Sequence, residues 1–149
     1  MIRPVRADDV PAVLALVATT LAEFGLEFGK GAKTDDELRA LPGSYDAGAF
    51  WVAVERGELL GTCGVFPVAP DTFELRKMYL SPASRGRGLG VQLLDVAVAW
   101  VREHGGRRIV LDTVEAMTRA IAFYEAHGFV RDDAQIRGSR CTRGYVLAV

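Results

Sequence analysis

Apolar residues along the chain recur with two different periods, one typical of helices and one typical of strands. Apolar positions between 10 and 21 are spaced by three or four residues, which predicts a helix. Shorter apolar runs bounded by turn residues predict strands. The predicted strands are Ile2–Arg6, Phe50–Glu55, Leu59–Val68, Thr72–Leu80, Arg107–Thr113, Phe129–Val130 and Gly144–Val149. The predicted helices are Val10–Leu21, Thr34–Leu41, Val91–His104 and Glu115–His127.

The order of these elements predicts a mixed sheet. The strands between positions 50 and 80 are joined by short turns, which predicts an antiparallel meander. The strand Thr72–Leu80 and the strand Arg107–Thr113 are separated by a helix, so they need a crossover connection and are predicted to be parallel. We therefore expect an α/β fold with a mostly antiparallel sheet flanked by helices. The segment Phe24–Gly48 has the weakest pattern and is expected to be a flap facing a substrate.

Length and composition indicate one soluble domain covering residues 1–149. Half of the 149 residues are hydrophobic, 25% are charged, and the formal net charge is −1. The near-neutral balance argues against a nucleic-acid-binding protein, which usually carries a basic excess. The sequence contains neither an apolar run long enough to span a membrane nor an apolar leader at its start, so we expect a cytoplasmic location.

The cysteines and histidines do not predict a metal site or a disulfide framework. Cys63 and Cys141 lack zinc-ligand spacing, and both fall in apparent strands, which favours small sheet or core residues. His104 and His127 each precede a glycine at the end of a predicted helix, where helix capping explains them. We therefore expect no bound metal and assign neither histidine to catalysis.

A glycine-rich, doubly basic turn carries the strongest chemical signal. It follows the strand that ends at Leu80 and precedes a helix, and it comprises Ser84, Arg85, Gly86, Arg87, Gly88, Leu89 and Gly90. Glycines let the backbone approach a ligand closely, and the free amides of a helix N-terminus favour an anion. Arginines add charge-assisted hydrogen bonds to phosphate oxygens. The turn therefore predicts a cradle for phosphate or pyrophosphate.

A dinucleotide-binding domain is the alternative suggested by the same pattern. Gly86 and Gly88 follow a strand, and Asp112 ends the next strand, as in a nucleotide-binding βαβ unit. However, Val91 stands where that motif has its third glycine, and the preceding strands form a meander. A P-loop is excluded because no Lys-Ser/Thr pair follows the glycines.

Several segments together resemble the GNAT family of N-acetyltransferases. The run from Arg85 to Gly90 matches the pattern R/Q-x-x-G-x-G/A of that family's acyl-CoA pyrophosphate loop. The segment Glu74–Leu80 resembles its fourth strand, and Ala120–Phe129 resembles its A-x-x-x-Y-E-x-x-G-F element. The resemblance spans nearly the whole chain and implies the GNAT fold, with the parallel strand pair at an acetyl-CoA slot. Met117 departs from the family pattern, which has an asparagine there that helps hold the pantetheine arm.

The resemblance implies acetyl transfer from acetyl-CoA to a primary amine, by direct attack in a ternary complex. The backbone of Met78, Tyr79 and Leu80 would pair with the pantetheine amides and supply an oxyanion donor. The residues expected to hold the pyrophosphate are Arg85, Gly86, Arg87, Gly88, Leu89 and Gly90. A non-catalytic acetyl-CoA sensor on the same fold is a further alternative.

Two side chains are candidates for catalysis on the same resemblance. Tyr124 stands at the family's tyrosine position and would protonate the departing thiolate; the alternative is a buried core tyrosine. Glu74 stands where some histone-acetylating members have a glutamate, and it would take the amine proton; the alternative is an ion pair with Arg76. Strand alternation predicts that Glu74, Arg76, Met78 and Leu80 share one face.

The expected partners are a small-molecule or peptide amine and, because dimers are common in the family, a second copy of the chain. Neither nucleic acid nor membrane is expected. The sequence leaves open which amine is acetylated: amino acids, polyamines, antibiotics and protein amines all fit. Arg76 could bind a carboxylate of the acceptor or be purely structural.

Overall fold

The computed structural model describes all 149 residues and confirms the predicted order of elements. The strands are β1 (Ile2–Pro4), β2 (Ala49–Glu55), β3 (Glu58–Ala69), β4 (Thr72–Leu80), β5 (Arg108–Thr113), β6 (Val130–Arg131) and β7 (Arg143–Ala148). The helices are α1 (Val10–Glu23), α2 (Thr34–Glu37), α3 (Leu89–Glu103) and α4 (Thr118–Ala126). Short 3₁₀ turns extend or connect several of them. None of the helices is long and apolar enough to cross a lipid bilayer.

The strands form one seven-stranded sheet in the order β1-β2-β3-β4-β5-β7-β6. Every neighbouring pair is antiparallel except β4 and β5, which are parallel. The crossover through α3 makes this parallel pair, as its sequence position predicts. The fold class is therefore the predicted mixed, mostly antiparallel α/β sheet with helices on its faces.

Strand alternation builds two hydrophobic cores on opposite faces of the sheet. In β2, Trp51 and Ala53 point into one core, and Phe50 and Val52 point into the other. The first core receives α3 and α4, through Leu93, Leu94, Ala97, Val101, Ile121 and Tyr124. The second core receives α1 and the segment after it, through Val13, Val17, Leu21, Leu38, Leu41 and Tyr45. Most of the flap segment thus packs on the α1 face.

Strand β4 pairs with β5 along only its first part. Parallel pairing joins Thr72, Phe73 and Glu74 to Arg108, Ile109 and Val110, and it stops there. The remainder of β4 keeps its antiparallel partner β3, while β5 continues alongside β7. The two strands therefore separate beyond Glu74, and a slot opens between them.

A bulge in β4 overturns part of the predicted strand alternation. The β3–β4 register shifts so that Lys77 and Met78 both lie opposite Cys63, and Lys77 has a φ of 52°. Glu74 and Arg76 share the α1 face, where the Arg76 guanidinium lies 4.6 Å from the centre of the Phe66 ring.

Beyond this bulge, Met78 and Leu80 pack on the opposite face, against the core that holds α3 and α4. The prediction that all four residues share one face was wrong, because the extra residue shifts the alternation by one position. The carbonyl of Lys77, displaced by the bulge, accepts a hydrogen bond from the Thr62 hydroxyl at 2.6 Å.

The positions of the cysteines and histidines follow the predictions with one exception. Cys63 is buried in β3, but Cys141 lies in the loop before β7 and not in a strand. His104 and His127 end α3 and α4, and each ring nitrogen Nδ1 lies within 2.8 Å of the carbonyl oxygen four residues earlier. Each imidazole therefore lies at a helix end, beside a carbonyl that also accepts the backbone N–H of the same histidine.

Candidate active site

A cavity of about 650 Å³ lies at the slot between β4 and β5. Its floor is formed by β4 from Glu74 to Tyr79 and by the end of β5 with the residues after it, 111–114. Two connecting segments close it from above, the stretch before and into α2 and the loop 137–141 before β7. Tyr124 and Met117 complete the wall on the side of α4.

The glycine-rich turn leads from the end of β4 into α3 with a row of free amides. Gly86 and Gly88 have φ angles of 77° and 79°, and a Cβ at either position would meet nothing within 4 Å. Backbone amides 86–91 donate to no acceptor within the protein. Open space, free N–H groups and the N-terminus of a fifteen-residue helix together form a site that favours an anion.

The two arginine side chains of this turn are engaged elsewhere. Arg85 makes a bidentate pair with Glu23 at 2.9 and 3.0 Å and donates to the Leu80 carbonyl at 3.2 Å. Arg87 pairs with Glu55 at 2.9 Å and is more than half exposed. The free donors of the turn in this structure are therefore on its backbone, whereas its arginine side chains are bound to carboxylates.

Tyr124 lies on α4 with its ring packed between aromatic neighbours. The ring centres of Phe129 and Phe123 lie 5.4 and 5.8 Å away, and only 8% of the residue is exposed. Its hydroxyl makes no hydrogen bond within the protein, and the residue lines the cavity. Burial raises the pKa of the phenol above its ordinary value, and the nearby Tyr79 adds to the shift. The phenol is therefore protonated at neutral pH and able to donate.

Glu74 lines the same cavity, next to Arg76 as the sequence suggested. Its Oε1 accepts from Arg76 Nε at 2.6 Å, while its Oε2 is buried without a hydrogen-bond donor. Arg76 also reaches Glu37 at 3.3 Å, so two carboxylates neutralise this one guanidinium. These two partners favour the structural role over the carboxylate-binding role that the sequence also allowed for Arg76.

A buried ion cluster beside the bulge was not found from the sequence. Asp35, which is fully buried, accepts hydrogen bonds from Lys77 Nζ and from Arg140 at 2.7 and 3.1 Å. It also accepts from the backbone N–H of Gly29 at 2.8 Å. These groups lie 42 and 105 residues apart along the chain, so no local motif links them. The cluster fastens α2 and the loop before β7 to the bulge of β4, and these are the segments that close the cavity.

Ionisation in this cluster follows from the balance of burial against charge. Burial opposes the charged form of Asp35, but hydrogen bonds from Arg140 and the charge of Lys77 outweigh it, so the pKa of Asp35 is lowered. Burial lowers the pKa of Lys77, and the carboxylate of Asp35 acts against that shift.

The carboxylate of Asp112 is hydrogen-bonded to the backbone of the loop before β7, and this argues against a dinucleotide-binding site. Its Oδ2 accepts the amides of Arg137 and Gly138 at 2.7 and 2.8 Å, so the carboxylate fastens the loop before β7. A ribose-binding carboxylate would have to be free for the ligand. The strand order also lacks the series of parallel strands that a dinucleotide-binding fold requires.

Comparison with known proteins identifies the family. The model of the acetyltransferase (GNAT) family matches residues 17–129. An uncharacterised N-acetyltransferase of Escherichia coli K12, YjgM, is 36% identical over 139 residues, which cover 89% of this chain and 83% of that protein. The chain belongs to the GNAT family. It is an acetyltransferase.

Solved structures of GNAT proteins share the fold over the whole chain. A GNAT acetyltransferase from Staphylococcus aureus Mu50 superposes with a TM-score of 0.90 at 21% identity, covering 99% of this chain and 98% of that one. The PaiA N-acetyltransferase of Thermoplasma acidophilum, solved in complex with coenzyme A, superposes with a TM-score of 0.75 at 19% identity. That superposition covers 97% of this chain and 96% of the PaiA chain.

The family match places the site's features in two groups. The glycine turn, Glu74 and Tyr124 lie within the matched residues, whereas Arg137 and Arg140 lie beyond them. The cavity of this GNAT protein is therefore closed partly by a loop that the family model does not reach. Met117 is the N-cap residue immediately before α4; it is 7% exposed, and its sulfur accepts a hydrogen bond from the Thr113 hydroxyl at 3.6 Å. An apolar, internally bonded side chain thus occupies the position where many members have asparagine.

We predict that Asp35→Asn destabilises the protein by about 3–5 kcal/mol at neutral pH, because it leaves Lys77 and Arg140 as unpaired buried cations. Since the folded-state pKa of Asp35 is lowered, its stabilising contribution is complete above the unfolded pKa of about 4. The contribution declines as pH falls from there through the folded-state value. Urea unfolding of both proteins between neutral and acidic pH measures the difference.

The neighbouring Asp36→Asn is the matched control for this prediction. Asp36 is exposed and approaches Arg39 only to 3.9 Å, so its loss should change the free energy of unfolding by less than about 0.5 kcal/mol. Equal effects of the two substitutions, or a difference that does not depend on pH, would show that the cluster does not stabilise the fold.

Proposed function

We propose that residues 1–149 act as one acetyl-CoA-dependent N-acetyltransferase domain that acetylates a primary amine by direct attack in a ternary complex. The observation that carries the proposal is the opening between β4 and β5, with Glu74 and Tyr124 facing it and the free amides of the glycine turn following β4. Membership of the GNAT family supports the same reaction.

The residues present fit the acetyl donor. The edge of β4 beyond Glu74 has no strand partner on the β5 side, so the backbone of Met78, Tyr79 and Leu80 is available to pair with pantetheine amides. Amides 86–91 would hold the pyrophosphate, in space where a Cβ at Gly86 or Gly88 meets no atom. When bound there, acetyl-CoA supplies the thioester whose acetyl group is transferred. The PaiA N-acetyltransferase, which has a similar fold, was solved with coenzyme A, and this supports a coenzyme A thioester as the donor.

Tyr124 and Glu74 would move the two protons of the reaction. Glu74 Oε2, which has no donor in the protein, would accept the proton that the amine loses as its nitrogen bonds to the acetyl carbon. Tyr124 would donate its hydroxyl proton to the sulfur as the carbon–sulfur bond breaks. A backbone N–H near Met78 would stabilise the charge that develops on the carbonyl oxygen.

The state of the cysteines supports direct attack over a covalent enzyme intermediate. Burial raises the pKa of the Cys63 thiol to about 12. Burial and the nearby Asp112 raise the pKa of Cys141 to about 12. Both thiols are therefore protonated at neutral pH, whereas thiolates are the nucleophilic form. The amine itself is the nucleophile in this proposal.

We predict that Gly90→Glu weakens acetyl-CoA binding by about 100-fold, equivalent to ~2.7 kcal/mol, because the carboxylate repels the pyrophosphate. The fold should persist: an added Cβ would lie no closer than 3.4 Å to the Phe123 ring, and an acidic residue suits the first turn of a helix. Calorimetric titration measures affinity, and circular dichroism with a melting curve checks folding.

Gly90→Gln, which adds similar volume without charge, separates the two causes. It should weaken binding less than the glutamate. Wild-type affinity of a correctly folded Gly90→Glu protein would contradict the assignment of the cradle.

We predict that Tyr124→Phe lowers kcat by about 10²–10⁴-fold, because it removes the proton donor and keeps the ring. Acetyl-CoA affinity should change little. Tyr145→Phe is the matched control: Tyr145 packs beside Tyr124 with ring centres 6.5 Å apart, but its hydroxyl donates to Glu125 outside the cavity. Steady-state kinetics measures kcat for both variants, and pre-steady-state kinetics measures the rate of the chemical step. Wild-type kcat in Tyr124→Phe, with chemistry limiting turnover, would leave Tyr124 a packing residue.

We predict that Glu74→Gln lowers kcat/KM by about 100-fold or more near neutral pH, with a smaller effect as pH rises. The reason is that the amine then arrives already deprotonated and no longer needs a base. Glu37→Gln removes the other carboxylate partner of Arg76 without altering the cavity wall, so it controls for loss of the ion pair. A ratio of variant to wild type that is constant across pH would remove Glu74 from the role of base.

A further inference from the structure

The two oxygens of Glu74 have different surroundings, and the difference points to what binds there. Oε1 is held by Arg76 Nε at 2.6 Å, whereas Oε2 has no hydrogen-bond donor although only 6% of the side chain is exposed. The guanidinium of Arg137 approaches Oε2 to 3.5 Å, beyond the normal range of a hydrogen bond. A buried acceptor without a donor is costly. Glu74 Oε2 therefore suits an N–H group that enters the cavity from outside.

Arg137 carries a positive charge that no nearby carboxylate fully neutralises. Its Nη1 donates to the carbonyl and the side-chain oxygen of Gln135 at 3.2 and 3.4 Å, and both of these acceptors are neutral. Its backbone is fixed, because its amide donates to Asp112 at 2.7 Å. The side chain is 42% exposed. Arg137 thus has a fixed position at the cavity and donors left for an anion.

The other cations of the cavity are occupied by buried carboxylates. Arg76 is bound by Glu74 and Glu37. Lys77 and Arg140 share Asp35, and their side chains are 4% and 11% exposed. Arg137 differs from these three cations, because it makes no hydrogen bond to a carboxylate through its side chain and approaches only Glu74 Oε2, at 3.5 Å.

The balance of charge around the cavity indicates an acceptor that carries both signs. The lining cations Arg76, Lys77, Arg137 and Arg140 are matched by two lining carboxylates, Glu74 and Asp112, and by two carboxylates behind the wall, Asp35 and Glu37. Two further exposed lining residues carry one charge of each sign, Lys33 and Asp36. A polyamine would bring several positive charges into a site without an excess of carboxylates. A small zwitterion leaves the balance unchanged.

We propose that the acceptor is a small amine that carries a carboxylate, with its amino group at Glu74 Oε2 and its carboxylate at the guanidinium of Arg137. The proposal rests on the acetyl transfer proposed above and names the chemical class of its acceptor. Arg137 lies over Glu74 when no acceptor is bound. An entering ammonium group replaces it there, and the guanidinium is then free for the carboxylate.

The test compares three forms of each acceptor: the standard L-amino acids, their primary amides and their decarboxylated amines. Wild-type protein should show a lower KM and tighter calorimetric binding for the carboxylate form, measured with the protein saturated with coenzyme A for binding. Arg137→Gln should weaken the carboxylate form by about 10–100-fold, the loss of one charge-assisted contact, and should leave the amide and the amine nearly unchanged.

Arg108→Gln is the matched control, because Arg108 is an exposed arginine at the paired end of β5, 3.6 Å from Asp71 and away from the cavity. It should alter none of the three forms. Arg137→Lys keeps the charge without the planar fork, and it should restore part of the discrimination. A tripeptide with the same amino terminus should behave like the amide, because it has no carboxylate next to its amine.

Three results would overturn the proposal. They are equal effects of Arg137→Gln on all three forms, tighter binding of every form in that variant, and a wild-type protein that binds no carboxylate-bearing amine. The first two would leave Arg137 as a cover for Glu74 while acetyl transfer stands. Carboxylate-dependent binding without release of thiol from acetyl-CoA would do the reverse: it would support the binding site and contradict the proposed reaction.

Discussion

Beyond Glu74, strand β4 loses its parallel neighbour β5 and keeps hydrogen bonds only to β3. An unpaired strand edge inside a sheet leaves a row of backbone donors and acceptors without partners, and such an edge binds extended amide-containing ligands well. The same separation makes room for the cavity, and it directs the end of β4 toward the glycine turn. In the proposed function, binding of the donor, the position of the oxyanion and access for the acceptor would all depend on where this one pairing ends.

The bulge at Lys77 and Met78 adds the second constraint. It reverses the alternation of β4, so that Glu74 lies on the α1 face and Met78 packs against the core of α3 and α4. It also brings Lys77 to the buried carboxylate of Asp35. The buried charges thereby fasten the segments over the cavity to the strand that forms its floor. The segments that cover the cavity and the strand that forms its floor are therefore joined at this bulge.

Most charged side chains of the cavity form hydrogen-bonded ion pairs. Arg137 is an exception, because its guanidinium makes no hydrogen bond to a carboxylate. Buried ion pairs contribute little net stability, because desolvation offsets much of the attraction between the charges. Their value here is that they fix position: Arg76 holds Oε1 of Glu74, and Asp35 holds Lys77 and Arg140. Arg137 differs, since only its backbone is held by a carboxylate hydrogen bond. Arg76, Lys77 and Arg140 therefore hold the walls of the cavity in place, whereas the guanidinium of Arg137 has donors available for a ligand.

The sequence by itself determined the fold class and the glycine turn, because these depend on local periodicity and on motifs contiguous in the chain. Its resemblance to the GNAT family singled out Glu74 and Tyr124, which both line the cavity. The sequence also placed β4 at Thr72–Leu80 as the structure has it. The reversal at Lys77, the loop position of Cys141 and the Asp35–Arg140 pair were decided only by tertiary structure. A bulge depends on the register of the neighbouring strand, and a buried carboxylate selects its partners by distance in space. Local sequence patterns contain neither of these.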